Sequence, residues 1–146
     1  ASTTEDSDFT WDKYEASYNE LANDLGNLVQ RLTTLCKKNE IAGLERSNLE
    51  IDGFDELMKK YEFNNAFELV WKEIQNLNKR IDEEKPWALA KTDPDAARQV
   101  LTKLSSDLLG LCDKMSLFIP DTAEKIAGIF TAEQITPPAE PLFPKA

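Results

Sequence analysis

Apolar residues along this chain recur at steps of three and four. Between Trp11 and Lys38, the residues Leu21, Leu25, Leu28, Leu32 and Leu35 fall on one stripe, widened by Ala22, Val29 and Cys36. That is the period of an amphipathic helix. Lys37 and Lys38 close the segment, where cations complement the helix dipole, and Asn39 and Gly43 are stop signals. A second stripe of Phe63, Phe67, Val70, Ile74, Leu77 and Ile81, with Trp71 beside it, predicts a helix from Phe63 to Glu84. It stops at Pro86, because the residue before a proline avoids the helical region. In the third, Asp93 is the N-cap and Pro94 the first helical residue. Its stripe is Ala97, Leu101, Leu104, Leu108, Leu111 and Met115, and it ends near Pro120.

The stretches between are weaker. Glu40 to Glu62 holds the turn dipeptide Asp52-Gly53 and a short amphipathic piece from Phe54 to Met58, which reads as a connector with one short helix. Asp121-Thr122-Ala123-Glu124 resembles a capping box opening a last short helix, with Ala123, Ile126, Ala127 and Phe130 inward. Pro137, Pro138, Pro141 and Pro144 keep the tail extended, with Leu142 and Phe143 pressing it onto the rest. The pattern predicts an all-α fold: an antiparallel helical bundle of three long helices plus one or two short ones. Residues 1–8 form a disordered acidic arm, 9–130 the bundle, and 131–146 an extended tail packing on it.

Composition narrows the chemistry. The chain has 146 residues, 17 basic and 27 acidic, for a net charge of −10, and 41% of it is hydrophobic. This fits one domain with a sizeable core. It contains no histidine, which removes Ser-His-Asp and Cys-His nucleophile systems and every imidazole metal site. Cys36 and Cys112 are far apart and lie among apolar residues, so they read as buried, inert thiols in a reducing, cytoplasmic setting. The polar, acidic start lacks the features of a secretion signal, and no apolar run is long enough for a membrane span. No catalytic or metal-binding constellation can be assembled. A charge of −10 repels phosphate backbones at long range, so any role with nucleic acid must rest on a small local site.

Three places carry candidate chemistry. Asn19, Asn23, Asn27 and Gln30 lie away from the first leucine stripe, and Arg31 follows Asn27 by one turn. An amide beside a guanidinium offers donors and an acceptor to a nucleobase edge. Trp87 follows Pro86 at a rigid corner between Lys85 and Lys91, where an open indole can stack on a base. Asn78 and Asp82, one turn apart, are placed to support the loop that carries Trp87. Each also has an ordinary structural explanation, and pattern alone favours it: a solvated face that tolerates asparagine, a tryptophan capping the core, a plain helix surface. Glu20 with Asp24, and Asp55 with Glu56, read as solvated or first-turn carboxylates.

Order and spacing add a further signal. Leu21-Ala22-Asn23-Asp24-Leu25-Gly26-Asn27-Leu28-Val29-Gln30-Arg31 is similar to the LAN-x-LGNL-x-x-R opening helix of the anticodon-binding domain of methionyl-tRNA synthetases. Residues Asn78 to Lys91 look like that family's N-x-x-I-x-E-x-x-PW-x-LAK signature. Leu117-Phe118-Ile119-Pro120 resembles its PFMP corner, and Leu142-Phe143-Pro144 its LFPR ending. The resemblance covers nearly the whole chain, from about Phe9 to Pro144. It departs at Leu117, where the family has proline, and in ending with Lys145-Ala146.

The resemblance implies the class I synthetase type of anticodon-binding bundle and a tRNA(Met) anticodon stem-loop as partner. Trp87 would stack on the cytosine of CAU, Asn27 and Arg31 would reach base edges, Asp82 would support the pocket, and Pro86 would shape the corner. The catalytic half of such an enzyme, with its ATP and methionine sites, is missing. Without histidine no HIGH-type motif exists, and Lys114-Met115-Ser116 is a chance echo of KMSKS. The chain therefore reads as a fragment or truncated product of a synthetase that carries no cofactor and does not aminoacylate alone. The alternative is a bundle derived from a synthetase that has lost RNA binding and serves as a protein-interaction module.

Overall fold

The structure, a computed structural model, describes residues 18–45, 48–138 and 142, with side chains from residue 20 onward. The expected acidic arm, Phe9, Trp11, Asn19's side chain and the tail residues Phe143 to Ala146 lie outside that description. The helices are α1 (Tyr18–Lys38), α2 (Phe54–Lys59), α3 (Phe63–Glu84), α4 (Pro86–Thr92), α5 (Pro94–Met115) and α6 (Pro120–Thr131). No strand occurs among the described residues, so the all-α helical class holds. The predicted stripes form the core: Leu21, Leu25, Leu28 and Leu32 of α1 meet Phe67, Ile74 and Ile81 of α3 and Leu101, Leu104 and Leu108 of α5, all fully buried.

Polar contacts between helices fix their directions. Cys36 Sγ lies 3.2 Å from Ser105 Oγ, and Arg98 donates to the Asn39 carbonyl, so α5 runs antiparallel to α1. The α3–α4–α5 chain path and the Arg80–Asp107 ion pair at 2.9 Å make α5 antiparallel to α3 as well. The third pair differs from the expected antiparallel arrangement. Asp24 meets Trp71 and Gln75, while Arg31, two turns further along, meets Asp82; α1 and α3 therefore run in the same direction. The reason is the segment between them, which carries the chain back to the far end before α3 begins.

That connector is fastened along its length. Helix α1 closes with Glu40 in the left-handed region (φ 58°) and the Ile41 amide donating to the Cys36 carbonyl at 2.9 Å. This is a Schellman-type end built on Glu40; of the two expected stop signals, Asn39 takes part, its side chain donating to the Leu35 carbonyl at 2.8 Å, and Gly43 lies beyond. The Gly43 amide then donates to the Ala132 carbonyl at 2.9 Å, and the Leu49 amide to the Gly110 carbonyl at 3.4 Å. Lys114, only 8% exposed, donates to Asn48 Oδ1 at 3.2 Å and to the Leu49 carbonyl, with its ammonium 5.5 Å from the Phe54 ring centroid. The residue read as part of a chance motif is thus a structural staple. At this end Phe118 packs edge-on against Phe54 and Phe67, with centroids 6.4 and 5.2 Å apart.

The two remaining boundaries are mixed. Asp93 caps α5 as expected, accepting from the Ala96 amide at 3.2 Å with Pro94 at the first position. Helix α6 instead starts one residue before the expected capping box. Pro120 opens it, Ile119 is the N-cap, and Asp121 lies in the first turn without a side-chain cap bond. Of the two expected tail anchors, Phe143 lies outside the described residues. Leu142 is buried, and its carbonyl accepts from Thr122 Oγ1 at 3.0 Å.

Candidate nucleic-acid interface

The α1–α3 seam presents polar groups outward because each helix turns its apolar stripe the other way. On α1 the residues Asn23, Asn27 and Gln30 are exposed, and on α3 so are Gln75, Asn76 and Lys79. Between these rows lies a ladder of hydrogen bonds. Trp71 Nε1 donates to Asp24 Oδ2 at 2.8 Å, and Gln75 Nε2 to the same oxygen at 3.3 Å. Asn78 Nδ2 donates to the Asp24 carbonyl at 2.9 Å, and its Oδ1 accepts from Arg31 at 3.5 Å. Arg31 completes the ladder with a 2.6 Å bond to Asp82 Oδ1.

This geometry revises two readings. Asn78 and Asp82 do not support a loop through its amides; they divide the Arg31 guanidinium between them, a use of its planar donor fork. Asp24 is no idle surface carboxylate either. Its partners are on α3, and only the three-dimensional register of the helices brings them together. Arg31 is 24% exposed and Asp82 67%, so the pair sits at the water-facing lip of the seam. Asn27, one turn away, is exposed beside it.

Trp87 belongs to a helix rather than to a loop. Lys85 adopts the left-handed conformation (φ 47°), ending α3 through its amide's 2.9 Å bond to the Ile81 carbonyl. Its own carbonyl accepts from the amides of Ala88 and Leu89, both at 3.0 Å, and so starts α4. Pro86 is buried at the first position of α4, where its missing N–H is harmless. The proline that ends one helix therefore opens the next. Trp87 stands in that first turn, 43% exposed, while Trp71 is half-buried against the core and tied to Asp24. Asp82 is in the last turn of α3, which sets Trp87 at the same end of the bundle as the Arg31–Asp82 pair.

Elsewhere the chain offers little reactive chemistry. Cys36 and Cys112 are free, buried thiols, and burial pushes the Cys36 pKa up, opposed by its hydrogen bond to Ser105. Among the described residues no group of His, Cys, Asp or Glu could hold a metal ion, and no helix is long and apolar enough to cross a membrane.

Comparison with known proteins agrees with this architecture. The family described as the anticodon binding domain of methionyl tRNA ligase matches residues 19–141. The methionine–tRNA ligase of Fusobacterium nucleatum is 34% identical over 125 aligned positions, taking in 74% of this chain and 20% of the relative. That of Caldanaerobacter subterraneus is 35% identical over 123 positions, with 73% of this chain and 19% of the relative covered. For the Roseobacter denitrificans enzyme the figures are 35% over 138 positions, 83% and 24%. The chain thus spans about a fifth of the length of the relatives it matches. No solved structure matches it. On the family match, the chain belongs to the anticodon-binding domains of methionyl tRNA ligases.

Proposed function

We propose that this chain is an RNA-reading module that binds the anticodon stem-loop of tRNA(Met) and recognises CAU. Trp87 stacks on the cytosine, and Asn27 and Arg31 hydrogen-bond base edges. Asp82 holds Arg31 in place, and Pro86 fixes the corner from which the indole projects. The observation that carries this reading is the exposed indole at the start of α4, five residues beyond the carboxylate that holds Arg31. Stacking of this kind contributes about 1–3 kcal/mol per base, enough for discrimination without a large basic surface. Aminoacylation, with its ATP and methionine sites, belongs to the part of the relatives that this chain does not span. The module acts in the cytoplasm and does not aminoacylate by itself.

The test is a titration of the chain with two stem-loops differing only in the cytosine of CAU. The CAU loop quenches tryptophan emission and binds more tightly. Trp87→Ala weakens CAU binding about tenfold and removes the difference between the RNAs. Equal binding of both loops by the unchanged chain overturns the reading. That result, with a basic protein partner in its place, is what a protein-interaction module would give; the acidic excess described below favours that second reading.

A further inference from the structure

Among the described residues the charge is unevenly placed. Glu50, Asp52, Asp55, Glu56, Asp113 and Asp121 outnumber Lys59, Lys60 and the enclosed Lys114 where α2 lies and α6 begins. At the opposite end Arg31, Lys37, Lys38, Lys79, Lys85 and Lys91 stand among Glu40, Asp82, Glu83 and Glu84. An RNA approaching Trp87 therefore meets a local balance of charge rather than the overall −10, and its phosphates are within reach of individual cations. Two of these are placed for such contacts. Lys38 follows Arg31 by seven residues, on the same helical stripe as Asn27 and Arg31 and about 10 Å further along the axis. Lys79 lies on the outer flank of α3, because the buried Leu77 and Ile81 define its inner side. Both are exposed; Lys79 has only a loose 3.8 Å contact with Glu83, itself exposed.

We propose that Lys38 and Lys79, one on each side of the Arg31–Asp82 seam, contact backbone phosphates of the RNA whose loop rests on Trp87. The proposal rests on the anticodon-reading function above and adds what that reading lacks: a source of affinity that is indifferent to base sequence. Phosphate contacts show themselves as salt dependence, since each neutralised phosphate releases condensed counterion.

The experiment measures Kd against salt concentration for the CAU loop and for the cytosine-replaced loop. Lys38→Gln and Lys79→Gln should each make the slope of log K against log salt shallower by about 0.7–0.9. Affinity should fall by the same factor for both RNAs, leaving the preference for CAU intact. Lys38→Arg and Lys79→Arg should restore the slope, which a folding defect would not allow. Lys59→Gln and Lys60→Gln, on the acidic end, should leave it unchanged. Unaltered slopes in the first two variants, or equal changes in the last two, overturn the proposal. Failure of base reading shows separately, as loss of CAU preference in the unchanged chain.

Discussion

Arg31 and Lys114 both join neighbouring parts of the bundle, but their surroundings are opposite. Arg31 lies at an open seam, bonded to a mostly exposed carboxylate and a side-chain amide. Lys114 is enclosed, and its partners among the described residues are neutral: the Asn48 amide oxygen, the Leu49 carbonyl and the face of Phe54. Water competes for every contact of an exposed ion pair, which is therefore worth about 0.2–1 kcal/mol. Removing the buried ammonium leaves the half-buried Leu49 carbonyl without its partner, at about 1–3 kcal/mol, while the exposed Asn48 amide turns to water. Fold stability is thus invested where the connector is fastened. The seam keeps Arg31 aligned by bonds weak enough to be exchanged for those of a ligand.

The largest effect that would break this contrast lies at the closed end. Lys114→Ala is expected to lower unfolding free energy by about 1–3 kcal/mol, combining the unpaired Leu49 carbonyl with the lost cation–π contact. Urea titration measures it, and a loss under about 0.5 kcal/mol would show the connector to be held by its backbone bonds alone. Next is the joint between α3 and α4. Lys85 holds a left-handed conformation that glycine adopts freely, so Lys85→Gly should raise the thermal midpoint, by about 0.5–1 kcal/mol in stability.

A smaller effect belongs to the seam itself. A double-mutant cycle on Arg31→Ala and Asp82→Ala should give a coupling below about 1 kcal/mol that shrinks further in high salt. A larger, salt-insensitive value would make the seam a structural lock like Lys114. The smallest is the thiol in the core. Burial raises the Cys36 pKa, so the folded chain keeps that proton longer than the unfolded one. Stability is unaffected below the ordinary thiol range near about 8.5 and falls as pH rises through and above it. Cys36→Ala should flatten that alkaline fall, read as the urea midpoint at two pH values.

Much of the bundle was legible because burial follows a simple period. The stripe from Leu21 to Leu32, that of α3 from Phe67 to Ile81 and that of α5 are buried in the structure, with Phe63 only partly so, and Asp93-Pro94 marked a true helix start. Helix α4 was illegible because its start carries no capping side chain and Pro86 also ends the helix before it; a single left-handed residue, Lys85, lets two helices meet there without a loop. The candidate site was half legible. Trp87 is exposed and Arg31 borders the surface; pattern alone favours a core-capping indole, and only the family-like motif around Pro86-Trp87 made the open ring legible. The partners of Arg31 were not, since Asn78 and Asp82 reach it only through the register of two parallel helices. Nor does any local pattern tell a lysine such as Lys114, turned inward onto carbonyls, from one on the surface.

The shared direction of α1 and α3 also constrains how the molecule acquires its shape. Helices α3, α4 and α5 are consecutive and can associate through short loops, whereas α1 pairs with α3 only after a long segment has been threaded back across the bundle. Closing that loop is entropically slow. Docking of α1 is expected to follow the rate-limiting formation of an α3–α5 nucleus, so φ-values should be high along α3 and α5 and low at Asp24 and Arg31. The groove between the first and third helices is then the last part of the protein to form and the first to open.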